Sequence, residues 1–163
     1  MEDTGYDKYA EQLSSMKRAV VKGYRAPHKP VLLLAICELV ADGEIMDNRI
    51  YLTDELDHRF RKVWKRFVDS EENVHYDCVA EELFKDERKA YPFKCNIANP
   101  FYHMSGEPFW TLKKSELWRE RTSWSVSALK TDFEYAILDN ELFDLIKDGQ
   151  ARKKIYSLLI GLL

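Results

Sequence analysis

A histidine and a lysine stand side by side between two prolines in Pro27-His28-Lys29-Pro30-Val31-Leu32-Leu33-Leu34, the segment best suited to chemistry. Pro30 has a fixed φ and no N–H, and the apolar run 31–36 follows at once, so it reads as the first residue of a buried helix. His28 and Lys29 then sit at the mouth of a helix N-terminus, where unpaired N–H groups and the positive end of the dipole favour an anion. Holding a phosphate is the chemistry this arrangement suits. Between Glu11 and Glu38 the chain carries Lys17, Arg18, Lys22, Arg25 and Lys29 and no acid. A phosphate backbone responds to the face it meets, so this local charge outweighs the formal net charge of -3.

Two other groupings hold ligand or catalytic residue types. His75, Cys78, Cys95 and His103 are zinc-ligand types, but only His75 and Cys78 are closely spaced, and a structural zinc site usually shows two such pairs. No metal and no other cofactor is expected. Asp77 followed by Glu87-Arg88-Lys89 has the order of a nuclease acid and Glu-x-Lys, yet it lies in a charged, helix-like stretch and not at strand ends. A histidine-based nuclease needs its base and metal ligands on one small motif, and the four histidines here are scattered. No catalytic residue is assigned, and the chain alone is expected not to cleave DNA.

The elements that must position these residues are legible in outline. Residues 5–22 read as a first helix, with Tyr9, Leu13, Met16 and Val20 at helical spacing. Gly23 ends it, and 24–29 is a short basic connector. A second helix runs from Pro30 to about Ala41, stopped by Asp42-Gly43. Residues 44–46 and 49–52 suggest a hairpin around Asp47-Asn48. Thr53 is a good N-cap for a third helix whose apolar face is Leu56, Phe60, Val63, Trp64 and Phe67; His58 on it reads as a surface residue. Residues 75–89 read as a fourth, charged helix or an insertion. The stretch 99–112 reads as a hairpin of aromatic strands flanking Ser105-Gly106, with Pro100 and Pro108 suiting short or edge strands, and with Trp110 as core. Helices return at 125–137, where Ala128 and Leu129 pack, at 139–147 behind Asp139, and from 150 to the end. The expected fold is α+β, mainly α, a helical domain with two small β-hairpins.

Bulk composition agrees. A chain of 163 residues with 45% hydrophobic and 33% charged residues is ordinary globular material, enough for one well-buried domain spanning 1–163. The start Met1-Glu2-Asp3-Thr4 is polar and acidic, unlike a signal peptide, and no apolar stretch reaches the length of a membrane span. A soluble, cytoplasmic protein is expected, without membrane partners. Three cysteines lack paired spacing, so no disulfide framework is expected, and Cys37 in the apolar run reads as a buried thiol.

With these motifs in order, the chain resembles the sulfur-binding domain that recognises phosphorothioate-modified DNA in type IV, HNH-class restriction endonucleases. The resemblance rests on His28-Lys29-Pro30 before the leucines and on Pro100-Phe101-Tyr102-His103-Met104 followed by Phe109-Trp110-Thr111-Leu112. It rests also on Ala136-Ile137-Leu138-Asp139-Asn140-Glu141-Leu142-Phe143 before Ala151-Arg152. It implies a reader of double-stranded, phosphorothioate-modified DNA acting in modification-dependent restriction, able to serve as the N-terminal module of a longer protein with a fused or separate nuclease. Exchanging a phosphate oxygen for sulfur keeps the charge but makes one face larger, softer and less hydrated, which a shallow apolar cup beside a cationic grip can prefer. The resemblance implies that Pro100, with Asn99 and Tyr102, makes the cup, with His103 at its lip. His28 and Lys29 would hold phosphate or a neighbouring base edge, with Arg25 close by. The family often has an aromatic residue where this chain has Asn99 and a small one where it has His103. Tyr91-Pro92-Phe93 offers a second site for the cup. The competing readings are a helical protein-interaction domain in which both aromatic motifs are core, and a generic DNA-binding module without sulfur preference.

Overall fold

The computed structural model describes residues 3–69 and 92–163. The helix expected over 75–89, together with His75, Asp77, Cys78, Glu87-Arg88-Lys89 and Tyr91, lies outside the described residues.

The second helix organises everything else. Its sequence has apolar side chains on every face, so it can be stable only if surrounded. As α2 (His28–Ala41) it buries all of 31–37 and Leu39. Around it stand α1 (Asp3–Ser14), α3 (Asp54–Phe67), α4 (Ala98–His103), α5 (Val126–Asp132), α6 (Asn140–Lys147) and α7 (Gly149–Gly161). Four of these pack on α2 directly: α3, α4, α6 and α7. Side chains also tie three of the helices. Glu38 on α2 accepts bonds from Arg59 (3.2 Å) and Arg66 (2.7 Å) on α3, and from the Tyr156 hydroxyl (2.7 Å) on α7.

The strands make two small antiparallel sheets. Strands β1 (Val20–Val21) and β2 (Tyr24–Arg25) form a hairpin, and β3 (Arg49–Ile50), β4 (Trp110–Lys114) and β5 (Phe133–Leu138) form a sheet ordered β3-β5-β4. The mainly helical α+β class therefore holds, but neither expected hairpin does. Residues 44–46 are no strand: the N–H groups of Glu44 and Ile45 both turn back to the Leu39 carbonyl, and Arg49 and Ile50 pair instead with Ile137 and Ala136.

The first half of the expected 99–112 hairpin is a helix. Pro100 is its third residue, where no N–H is needed, Asn96 Oδ1 accepts the Ala98 N–H at 3.0 Å, and the Phe101 N–H closes the first turn on Ile97 at 3.0 Å. The second half is edge strand β4, and Trp110 is core as expected, its indole N–H donating to the Phe101 carbonyl at 3.0 Å. Residues 133–137, the end of the helix expected over 125–137, belong instead to the central strand β5.

The first helix also stops early. Tyr9, Leu13 and Met16 are buried, but the helix ends at Ser14 and Val20 is 64% exposed on the hairpin. The turn between Val21 and Tyr24 holds both Lys22 (φ +54°) and Gly23 (φ +83°) in the left-handed region, the pattern of a type I′ hairpin turn. Finally, α2 begins two residues before Pro30, with Pro27 as cap. The Val31 N–H makes the first backbone bond, to the Pro27 carbonyl at 3.0 Å. The cap expected at Thr53 forms, accepting from the Leu56 N–H, and Asp148 caps α7 by accepting from the Ala151 N–H.

Candidate nucleic-acid interface

The segments flanking the hairpin, the start of α2 and helix α4 close around one cleft of about 560 Å³, lined by Lys17, Arg18, Ala19, Ala26, His28, Lys29, Phe93, Asn99, His103 and Gly106. Arg18 Nε donates to the Ala26 carbonyl at 2.7 Å and the Ala26 N–H to the Ala19 carbonyl at 2.8 Å, so the hairpin holds one wall in place. Lysine and arginine line this wall and no acid does, among the described residues. The apolar surface beside them comes from Ala19, Ala26 and the Phe93 ring.

His28 and Lys29 are more enclosed than helix-mouth residues need be, at 6% and 9% exposure. His28 Nε2 faces the Lys94 carbonyl at 2.8 Å, which sets the proton on Nε2, while Nδ1 is buried with no partner among the described residues. Its ring lies 4.9 Å from Trp64 and edge-on to Phe93 at 5.8 Å. Burial pushes the imidazole below its ordinary pKa, partly opposed by the Lys94 bond, so His28 is a neutral wall of the cleft at pH 7. His103 is lowered too, by burial and then by the Lys29 charge. Lys29 Nζ contacts Glu107 Oε2 at 2.5 Å, and the same oxygen accepts the Lys17 backbone N–H at 2.9 Å.

The sequence-predicted residues thus fall into groups. His28, Lys29, Asn99 and His103 meet at the cleft. Pro100 is buried within α4 beneath them. Tyr102 stacks on Trp124, centroids 4.6 Å apart and planes 20° from parallel, against α5. Arg25 is exposed on β2, opposite Val20 across the hairpin. Phe93, from the 91–93 stretch that offers a second site for the cup, lines the cleft, whereas nothing in the sequence places Glu107 or Trp124 beside the site. Lys17 and Arg18 had a signal, the acid-free run; Glu107 had none, since 78 residues separate it from Lys29. Cys37 is buried as expected, and Cys95 is half-buried. His58 is exposed. Among the described residues no three His, Cys, Asp or Glu side chains gather as metal ligands, and no helix is long and apolar enough to cross a membrane.

The fold is thus a helix sheathed by other helices, with a three-stranded antiparallel sheet and a basic cleft at the helix N-terminus. Among solved structures it is similar to the sulfur binding domain of ScoMcrA complexed with phosphorothioated DNA, with a TM-score of 0.60 over 94% of this chain and 84% of that one at 14% identity. No family model and no curated protein matches the sequence.

Proposed function

We propose that the chain is a DNA-binding domain that recognises phosphorothioate-modified duplex DNA and acts in modification-dependent restriction, reading the mark while a fused or separate nuclease cuts. The observation that carries this is the cleft: cations and an apolar surface side by side, in a fold shared with a domain solved on phosphorothioated DNA. Lys17 and Arg18 attract the phosphate, with Arg25 further out on the hairpin that follows them. Phe93, Ala19 and Ala26 offer the soft, poorly hydrated sulfur a surface that loses little on contact. Asn99 and His103 at the lip are placed to bond a phosphate oxygen or a base edge. Pro100 and Tyr102 shape the site by fixing α4, and His28 by walling it. Lys29 lines the cleft with its ammonium paired to Glu107.

The test is fluorescence anisotropy with two duplexes identical but for one phosphorothioate, at about 0.1 M salt. Tighter binding of the modified duplex is the expected result. Equal curves would leave a generic DNA-binding module, and no binding to either would favour a protein-interaction domain.

A further inference from the structure

The cleft contains a cation that its own fold has already claimed. Lys29 lines the cleft, yet its ammonium is 2.5 Å from a Glu107 carboxylate whose side chain is only 5% exposed. Glu107 is itself anchored by the Lys17 N–H at 2.9 Å, and Gly106 before it is part of the cleft lining. A carboxylate thus occupies the donor that a phosphate oxygen would most want.

We infer that Glu107 is a specificity-determining residue, which withholds the Lys29 ammonium from DNA and so removes a reward for oxygen over sulfur. This rests on reading the cleft as a phosphorothioate site. An ammonium donates a strong hydrogen bond to a phosphate oxygen, whereas sulfur is a poor acceptor. A free lysine here would therefore favour ordinary DNA at the very atom being read. With Lys29 engaged, the oxygen of ordinary DNA must lose its hydration without gaining that bond, and sulfur, less hydrated, loses less. The basic wall of Lys17 and Arg18 still attracts either backbone at longer range. Glu107 touches the cleft through Lys29, so it is a positioning residue.

The experiment compares wild type with Glu107→Gln on the modified and plain duplexes, across a salt series. Glutamine keeps the shape and can still accept the Lys17 N–H, and circular dichroism checks the fold. The variant should bind plain DNA roughly tenfold more tightly while modified DNA gains much less, so the ratio between them falls. Its salt slope on plain DNA should steepen by about one. An unchanged ratio in the variant, with a clear preference in the wild type, overturns the inference and leaves the phosphorothioate reading standing. No preference in the wild type overturns both. A second measurement needs no variant: the ¹⁵N resonance of the Lys29 ammonium should keep its free-state position when the modified duplex binds. A shift to a phosphate-bonded position would show Lys29 released and overturn the inference.

Discussion

At the scale of single residues, the histidine and the lysine that stand out in the sequence act by being enclosed. Burial holds His28 below its ordinary pKa of 6.5, so the unfolded chain binds a proton at a pH where the folded chain does not. Its contribution to stability is therefore present above about pH 6.5 and is lost as pH falls toward the folded value. Urea midpoints should drop between pH 7 and pH 5. His28→Gln, which can still donate to the Lys94 carbonyl, should flatten that drop; an equal drop in both proteins would mean the imidazole is not held neutral. Phe93 makes the other residue-scale prediction. Removing about 40 Å² of apolar contact at ~25 cal/mol per Å² costs about 1 kcal/mol, so Phe93→Ala should cut the preference for modified DNA several-fold. Pro100→Gly should instead lower stability, since Pro100 is buried, and shift both duplexes alike. Titrations of both variants on both duplexes separate the two positions, and a preference lost only in Pro100→Gly would return the cup to α4.

Elements were legible where periodicity and local signals agreed. Helix α3 carries its cap at Thr53 and a clean apolar stripe, and forms as read. So do α2, apart from its first turn, and α6. Legibility failed where tertiary pairing decides. Nothing between Ser125 and Leu138 breaks a helix locally, yet the chain switches to strand after Asp132, whose buried carboxylate takes Arg121 Nε at 2.8 Å and Nη2 at 3.0 Å. Strand 133–138 then gains partners on both edges, 49–50 and 110–114, which no local window contains. Helix α4 was missed because Pro-Phe-Tyr-His has a strand-like composition, while a proline in the first helical turn costs no hydrogen bond. The hairpin at 20–25 was missed because Val20 continues an apparent helical spacing, although Lys22-Gly23 is a turn signal of the same kind as Asn-Gly. That hairpin joins the two stretches that wall the cleft, Lys17 to Ala19 before it and Ala26 after it. Gly23 has φ +83, so Gly23→Ala should strain the turn by about 1 kcal/mol or more and weaken both duplexes alike without lowering the preference. Amide exchange should quicken in 20–26 alone; a change in the preference would place the hairpin in the sulfur contact itself.

At the scale of the molecule, the candidate site was visible in the sequence as a set of residues but not as a shape. The basic run, the His-Lys pair and the Asn99–His103 segment were all in view, and folding brings four of the expected residues to one cleft. What the sequence does not display is the neutralisation inside it, because Glu107 reaches Lys29 from across the fold. This sets how the protein should respond to salt. With a formal net charge of -3, distant acids repel DNA weakly and are screened beyond about 8–10 Å at ordinary ionic strength. Attraction then comes from the cations of the cleft wall, Lys17 and Arg18, with Arg25 at its edge, and not from Lys29. Each phosphate neutralised contributes about 0.9 to the slope of log K against log salt. A slope of about −2 to −3 is therefore expected, shallow for a DNA-binding protein, and anisotropy titrations from about 0.05 to 0.3 M salt will read it. A much steeper slope would mean that the duplex lies across a wider surface than this cleft. A slope near zero on a duplex that still binds would leave apolar contact as the whole of the attraction.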